Sequence, residues 1–115
     1  MSSGQMLAAL RTQLRRVAAQ ATTITYQALA TELQLQPPNT IHQLTTLLEA
    51  SMQEDAQADR PFIAALVVSK RPPYLPGRGF FQYAAELGRF SGIESEAAAF
   101  HARELARAQA YWACN

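Results

Sequence analysis

Basic and aromatic residues surround a short run of prolines and glycines, and these residue types suit contact with a nucleic acid. The run extends from Arg71 to Gly79 and holds three prolines and two glycines. Prolines restrict the backbone, so the loop loses less freedom when a partner binds. Cations neutralise phosphates and aromatic rings stack on bases, and the candidates are Lys70, Arg71, Tyr74 and Arg78. The alternative is a rigid loop whose rings close the core and whose cations are merely solvated.

A second set of polar side chains lies at the start of the third predicted helix. Hydroxyl, amide and imidazole groups can bind phosphates or base edges, and Asn39, Thr40, His42 and Gln43 supply them. This helix carries no Lys or Arg, and Glu49 on it would repel phosphate. Because phosphate neutralisation supplies much of the affinity for DNA, the missing cations are the strongest argument against nucleic acid.

No arrangement of residues in the sequence predicts an enzyme, a metal site or a cofactor. His42 and His101 fall on different predicted helices, and no Cys/His cluster has metal-ligand spacing. The single cysteine, Cys114, has no partner for an internal disulfide. We therefore expect no catalytic residue and a reducing, cytoplasmic setting. No apolar run approaches the ~18 residues that span a bilayer, so we expect no membrane contact.

Apolar residues at helical spacing predict a mainly α protein. Ser2 or Ser3 caps a first helix that ends near Ala19, and Thr25 caps a short second helix. Pro37-Pro38 breaks the chain before a third helix over 39–53.

The second half of the chain predicts one strand and two further helices. Residues 55–60 are a polar exit from the third helix, and Phe62 to Ser69 is the best strand, rich in Ile and Val. A short helix over 80–87 and a last helix over 95–112 follow the proline-glycine loop. The alanines of the last helix would allow close packing, as in a homodimer.

The length and charge of the chain fit one small domain. With 115 residues, 49% hydrophobic and 17% charged, the sequence excludes a disordered or fibrous protein. Residues 1–31 contain three arginines and no acid, residues 32–59 contain five acids and no base, and residues 60–89 are basic again. This layout predicts a polarised surface, although charge blocks this short usually serve solubility.

One segment resembles a known family of DNA-binding proteins. Ile24-Thr25-Tyr26-Gln27-Ala28-Leu29-Ala30 is similar to the Thr-Tyr-x-x-Ile/Leu-Ala opening of the DNA-binding domain in alkylguanine-DNA alkyltransferases and alkyltransferase-like proteins. The likeness continues through Pro37-Pro38, Val67-Val68 and the glycine-aromatic loop, and covers residues 24–81. It implies a helix-turn-helix whose second helix enters the minor groove, with Tyr26 in contact with DNA.

The chain departs from that family at two functional positions. Ala64 stands where the family has its nucleophilic cysteine, so the resemblance implies no alkyl transfer to the protein. The arginine that the family inserts into the base stack has no match, because the helix begins Asn39-Thr40-Ile41-His42-Gln43. The last helix has no assigned counterpart.

The sequence thus predicts a single domain over residues 1–115, mainly α with a small β component. Its core would be a winged helix-turn-helix with extra N- and C-terminal helices. The favoured function is non-enzymatic binding of double-stranded DNA. The alternative is a protein-interaction module on the same fold, homodimeric through its last helix.

Overall fold

The computed structural model describes residues 2–114, and within that range the chain is mainly helical. The helices are α1 (Ser3–Ala19), α2 (Tyr26–Glu32), α3 (Thr40–Gln57), α4 (Arg78–Glu86) and α5 (Ala97–Cys114). Two 3-10 helices, Ile63–Leu66 and Glu94–Glu96, and two strands, β1 (Ile24–Thr25) and β2 (Val67–Val68), complete the described elements. The prediction of a mainly α protein with a small β component is confirmed, and the winged-helix relationship stays a prediction.

The helix starts follow the capping residues of the sequence. Ser2 caps α1 in a capping box with Gln5, and the Thr25 hydroxyl accepts a hydrogen bond from the Ala28 N–H at 3.1 Å. Asn39 precedes α3 in the left-handed region, with φ at +60°, and its side chain makes no capping bond. Helix α3 also continues one turn past the predicted end, so Asp55 belongs to the helix and is fully buried. The prediction of a polar exit from residue 55 was therefore wrong.

The predicted strand over Phe62–Ser69 is the largest correction. Residues 63–66 form a 3-10 helix, and within Phe62–Ser69 the strand is limited to Val67 and Val68. The whole stretch from Phe62 to Val68 is buried, so its Ile and Val content reflects burial on all sides. Short apolar runs of this kind do not distinguish a strand from another buried conformation.

The small sheet joins two parts of the chain that are far apart in sequence. Strands β1 and β2 are parallel, with Ile24 opposite Val67 and Thr25 opposite Val68. The pairing sets the start of α2 beside the start of the proline-glycine loop. It thereby brings Tyr26 and Ser69 to the same side of the molecule, where both line one groove.

Buried carboxylates hold the segment that connects α3 to β2. Asp55 Oδ2 accepts the Ile63 N–H at 3.0 Å, and Glu104 Oε2 accepts the Phe62 N–H at 2.8 Å. Asp55 Oδ1 also pairs with Arg11 and Arg60, each at 3.0 Å. Burial raises the pKa of Asp55, while the Ile63 N–H and the two guanidinium groups oppose that rise. The two carboxylates accept backbone N–H groups that, in a strand, would bond to a neighbouring strand.

Two ring N–H groups of α5 bind carbonyls of the same segment. His101 Nε2 donates to the Ala65 carbonyl at 2.9 Å, and Trp112 Nε1 donates to the Pro61 carbonyl at 3.0 Å. Because a carbonyl can only accept, the Nε2 atom of His101 carries a proton. Burial lowers the pKa of His101, against the opposing effects of the Ala65 carbonyl and Glu104.

Helix α5 is a packing element of the core. Phe100, Ala108 and Trp112 are buried on it, while Tyr111 stays 37% exposed. None of the helices in residues 2–114 is both long enough and apolar enough to cross a membrane.

We expect Asp55→Ala to lower the free energy of unfolding by about 3–5 kcal/mol, because it leaves the buried Arg11 guanidinium and the Ile63 N–H without this acceptor. The matched control is Glu54→Ala. Glu54 pairs with the same arginine, but its side chain is 49% exposed, so we expect a loss below about 1 kcal/mol. Urea denaturation measures both values. Equal losses of stability for the two variants would contradict the role of Asp55 as a buried anchor.

We also expect stability to fall on acidification through His101. The lowered pKa means that the unfolded chain takes up the proton at a higher pH than the folded chain. The stabilisation that neutral His101 provides is therefore complete above the ordinary histidine pKa of about 6.5. It is lost as the pH falls below that value. Between pH 7.5 and pH 5.5, the Tm of the wild type should fall further than the Tm of His101→Gln, which keeps an N–H donor. Parallel Tm profiles for the two proteins would refute this role.

Candidate nucleic-acid interface

A groove of about 750 Å³ separates α3 from the proline-glycine loop. One wall is a single face of α3, formed by Ile41, Thr45, Leu48 and Met52. These residues are spaced four, three and four apart, which places them on one side of a helix. This wall of the groove therefore follows from the spacing of these residues along α3.

The opposite wall is the loop itself. Ser69 to Pro73 and Leu75 to Gly77 line it, and Ala64 and Phe80 complete the surface. The Ser69 N–H donates to the Leu75 carbonyl at 2.9 Å, which closes the loop on itself. Ala64 is the position of the nucleophile in the resembled family, and its methyl group offers no reactive atom.

Tyr26 anchors the far end of this loop. Its hydroxyl oxygen accepts the Gly77 N–H at 2.8 Å, across 51 residues of sequence. Burial raises the pKa of Tyr26, and the hydrogen bond from Gly77 opposes that rise. The bond uses an acceptor position of the hydroxyl and leaves its O–H free to donate. Tyr26 thus both fixes the loop and lines the groove, and its contact with DNA stays a prediction.

Three cations lie on the loop side of the groove. Lys70 and Arg71 line it, and Arg78 opens α4 directly after the lining residue Gly77. All three are exposed, and within residues 2–114 they make no ion pair. The positive charge of the rim is therefore available to a partner. Glu49 lines the α3 side of the groove and carries a negative charge, which the sequence analysis expected to repel phosphate on this helix.

Tyr74 lies at the exposed tip of the loop. Tyr74 is 56% exposed, and its backbone adopts a φ of +58°, in the left-handed region that bulky residues disfavour. The Tyr74 N–H donates to the Arg71 carbonyl at 2.9 Å. The ring does not line the groove, although both chain neighbours do.

The four polar residues predicted at the start of α3 do not converge on the groove. Gln43 donates to the Gln36 and Pro38 carbonyls, each at 2.8 Å, so its amide braces the turn before the helix. His42 and Gln43 line a separate small hollow beside α1, and Asn39 and Thr40 line neither space. The four side chains therefore do not join the loop residues in this groove, and their contact with DNA stays a prediction.

The residue of this first turn that does line the groove is Ile41, an apolar residue that the sequence prediction of the site did not include. It is 48% exposed, whereas Leu44 and Leu48 are buried. The signal was present in the sequence, because 41, 45, 48 and 52 share a face that includes a threonine. Mixed polarity on one helical face indicates partial exposure.

No protein-family model matches this chain, and no curated protein or solved structure matches it. In the part of the chain that the structure describes, no three His, Cys, Asp or Glu side chains cluster as a metal site would require. The function must be argued from the groove and its rim.

We expect Tyr26→Phe to loosen the loop without unfolding the protein. The change removes the acceptor of the Gly77 N–H and should cost about 1 kcal/mol, a typical net value for one hydrogen bond. Amide hydrogen exchange should speed up at Gly77, while Tyr83→Phe serves as the control, since the Tyr83 hydroxyl has no such bond to this loop. Unchanged exchange at Gly77 in Tyr26→Phe would show that the bond does not hold the loop.

Proposed function

We propose that this protein binds double-stranded DNA and holds one base in the groove between α3 and the proline-glycine loop. The observation that carries the proposal is the combination of an apolar groove with three unpaired cations on its rim. In this proposal the cations bind phosphates, and the groove binds a planar, largely apolar base.

The two parts of the site fit a single strand of the duplex. A base inside a B-form helix is stacked on both faces and cannot enter a groove of this kind until it leaves the stack. Contacts from Lys70, Arg71 and Arg78 to the flanking phosphates offset part of the cost of that movement. Tyr26, with a free O–H at the wall, offers a hydrogen bond to a polar edge of the base.

The resemblance to alkyltransferase-like proteins supports the same assignment. Tyr26, the turn prolines and Val67-Val68 carry that resemblance, and Ala64 lines the groove at the nucleophile position. A methyl group cannot accept an alkyl group, so binding without chemistry is the activity that we propose.

The charge of the α3 wall restricts where the phosphates run. Glu49 lies on the groove side of α3 and is exposed, and no Lys or Arg accompanies it on that helix. The backbone of the bound strand therefore follows the loop side of the groove.

A protein-interaction module remains the competing proposal, favoured by the surface of α5. Ala98, Ala99, Ala102 and Ala106 are exposed there and would let a second copy of the helix approach closely. A homodimer of this kind would leave the groove open and would not depend on its rim cations.

We expect Arg71→Ala/Arg78→Ala to weaken binding to all duplexes by a similar factor. Phosphate contacts carry no sequence information, and the slope of log K against log salt should decrease by about one for each lost contact. Fluorescence anisotropy with a labelled duplex, from about 50 mM salt upward, measures both quantities.

The matched control is Arg16→Ala/Arg103→Ala. It removes the same charge from exposed positions on α1 and α5 and should leave the affinity within about twofold. Equal losses of affinity in the two double variants would mean that the effect comes from net charge alone. The absence of wild-type binding at about 50 mM salt would overturn the proposal, and the rim would then be tested against protein partners.

A further inference from the structure

The positive charge around the groove lies on one side of it. Lys70, Arg71 and Arg78 are exposed on the loop and at the first residue of α4. Helices α2 and α3, which line the groove through Tyr26 and through the face that starts at Ile41, contain no Lys or Arg. The charge that a bound phosphate meets therefore depends on the wall that it approaches.

Glu49 makes the α3 side of the groove negative. It is exposed, it lines the groove, and within residues 2–114 it makes no ion pair. The other two acids of α3, Glu54 and Asp55, both pair with Arg11. Unlike them, Glu49 keeps an uncompensated charge, which repels phosphate groups on this side of the groove.

We infer that the groove holds one unpaired strand, and that single-stranded DNA is the class of ligand that this site prefers. The inference rests on the proposed function and specifies its substrate. The phosphates of a single strand follow the three cations of the loop side, and a base of the same strand occupies the apolar groove. One strand therefore satisfies both parts of the site.

A complementary strand adds no favourable contact near the groove. Its phosphates stabilise the complex only where Lys or Arg meets them, and α2 and α3 offer neither. Where the second backbone passes Glu49, it is repelled. A duplex also keeps its bases paired and stacked, so a base must be extruded at a cost before it enters the groove. A single strand avoids both costs.

The lining of the groove is suited to an unpaired strand. Proteins that bind single strands combine a cationic track with aromatic surfaces on which bases stack. Tyr26 and Phe80 line the groove, and Pro72, Pro73 and Pro76 restrict the backbone of the loop wall. Because the wall is already rigid, the protein loses little conformational entropy when the strand binds.

Charge alone predicts the opposite preference. A duplex carries one negative charge per about 1.7 Å of its axis, about twice the density of one strand, so a merely cationic protein binds duplex more tightly. Tighter binding of the single strand would therefore report the one-sided arrangement of charge around the groove.

The test compares one labelled strand of about 12 nucleotides, alone and annealed to its complement, by fluorescence anisotropy at about 50 mM salt. We expect the wild type to bind the single strand about tenfold more tightly. Three phosphate contacts predict a slope of log K against log salt of about −2 for the single strand and about −3 for the duplex. A duplex slope of about −4 or steeper would mean that the second strand is also bound, and would overturn the inference.

A charge reversal on α3 tests the cause of the preference. Glu49→Lys supplies the cation that a second strand lacks, so we expect the duplex affinity to rise and the preference for the single strand to fall below about threefold. The matched control is Glu94→Lys, which makes the same change at an exposed position of the 3-10 helix Glu94–Glu96 that does not line the groove.

The control should keep the preference near about tenfold, because charge far from the bound strand is screened by salt. Thermal unfolding checks that both variants are folded. Equal preferences in the two variants would show that the charge of α3 does not select the strand.

The failure of this inference differs from the failure of the proposed function. If the wild type binds the duplex as tightly as the single strand, or more tightly, the inference is refuted while DNA binding stands. If it binds the single strand alone, the inference is supported and binding of the duplex is refuted. If it binds neither ligand at about 50 mM salt, both proposals are refuted.

Discussion

The structure depends on the backbone of residues 61–65 being held by polar side chains of two separate helices. Asp55 and Glu104 accept its N–H groups, and His101 and Trp112 donate to its carbonyls. Each of these partners is itself buried, so water cannot replace it if it is lost. The segment supplies Ala64 to the groove and leads directly into β2. The carboxylates and ring N–H groups that hold this segment therefore also fix the position of Ala64 in the groove.

A second layer of charge keeps those anchors in place. Arg11 and Arg60 pair with Asp55, and Arg89 and Arg107 pair with Glu104. The guanidinium groups of Arg11 and Arg60 also lie over the Trp112 ring, 5.4 and 5.2 Å from its centroid. Arg11, Arg60 and Arg89 are thus largely buried, whereas the side chain of Arg107 is 57% exposed. Lys70, Arg71 and Arg78 differ from these arginines, because they are exposed and, within residues 2–114, make no ion pair.

The helices were predictable from the sequence because their signals are local. Ser2, Thr25 and the Pro37-Pro38 break each act within a few residues of themselves, and the bounds they predict agree with the structure to within one turn. The stretch from Phe62 to Val68 was not predictable, because its conformation is imposed by Glu104, 42 residues away from Phe62. The same limit applies to charge: Asp55 and Arg11 look like surface residues in the sequence, and only their mutual contact allows burial. In the candidate site, the loop residues were identified from composition. The mixed polarity of one α3 face indicated that Ile41 is partly exposed, but its place in the groove required the orientation of α3 relative to the loop.

The hydrogen bonds from α5 to residues 61–65 also bear on how the chain is synthesised. Glu104 and Trp112 leave the ribosome long after Phe62 and Pro61, so the most apolar stretch of the chain emerges before the groups that bind its backbone. During that interval α1 and α3 are available, but the segment has neither its carboxylate nor its indole partner. The protein cannot complete its core co-translationally until α5 has been extruded. Until then the apolar stretch from Phe62 to Val68 lacks these partners, and exposed apolar segments in incompletely folded chains favour aggregation.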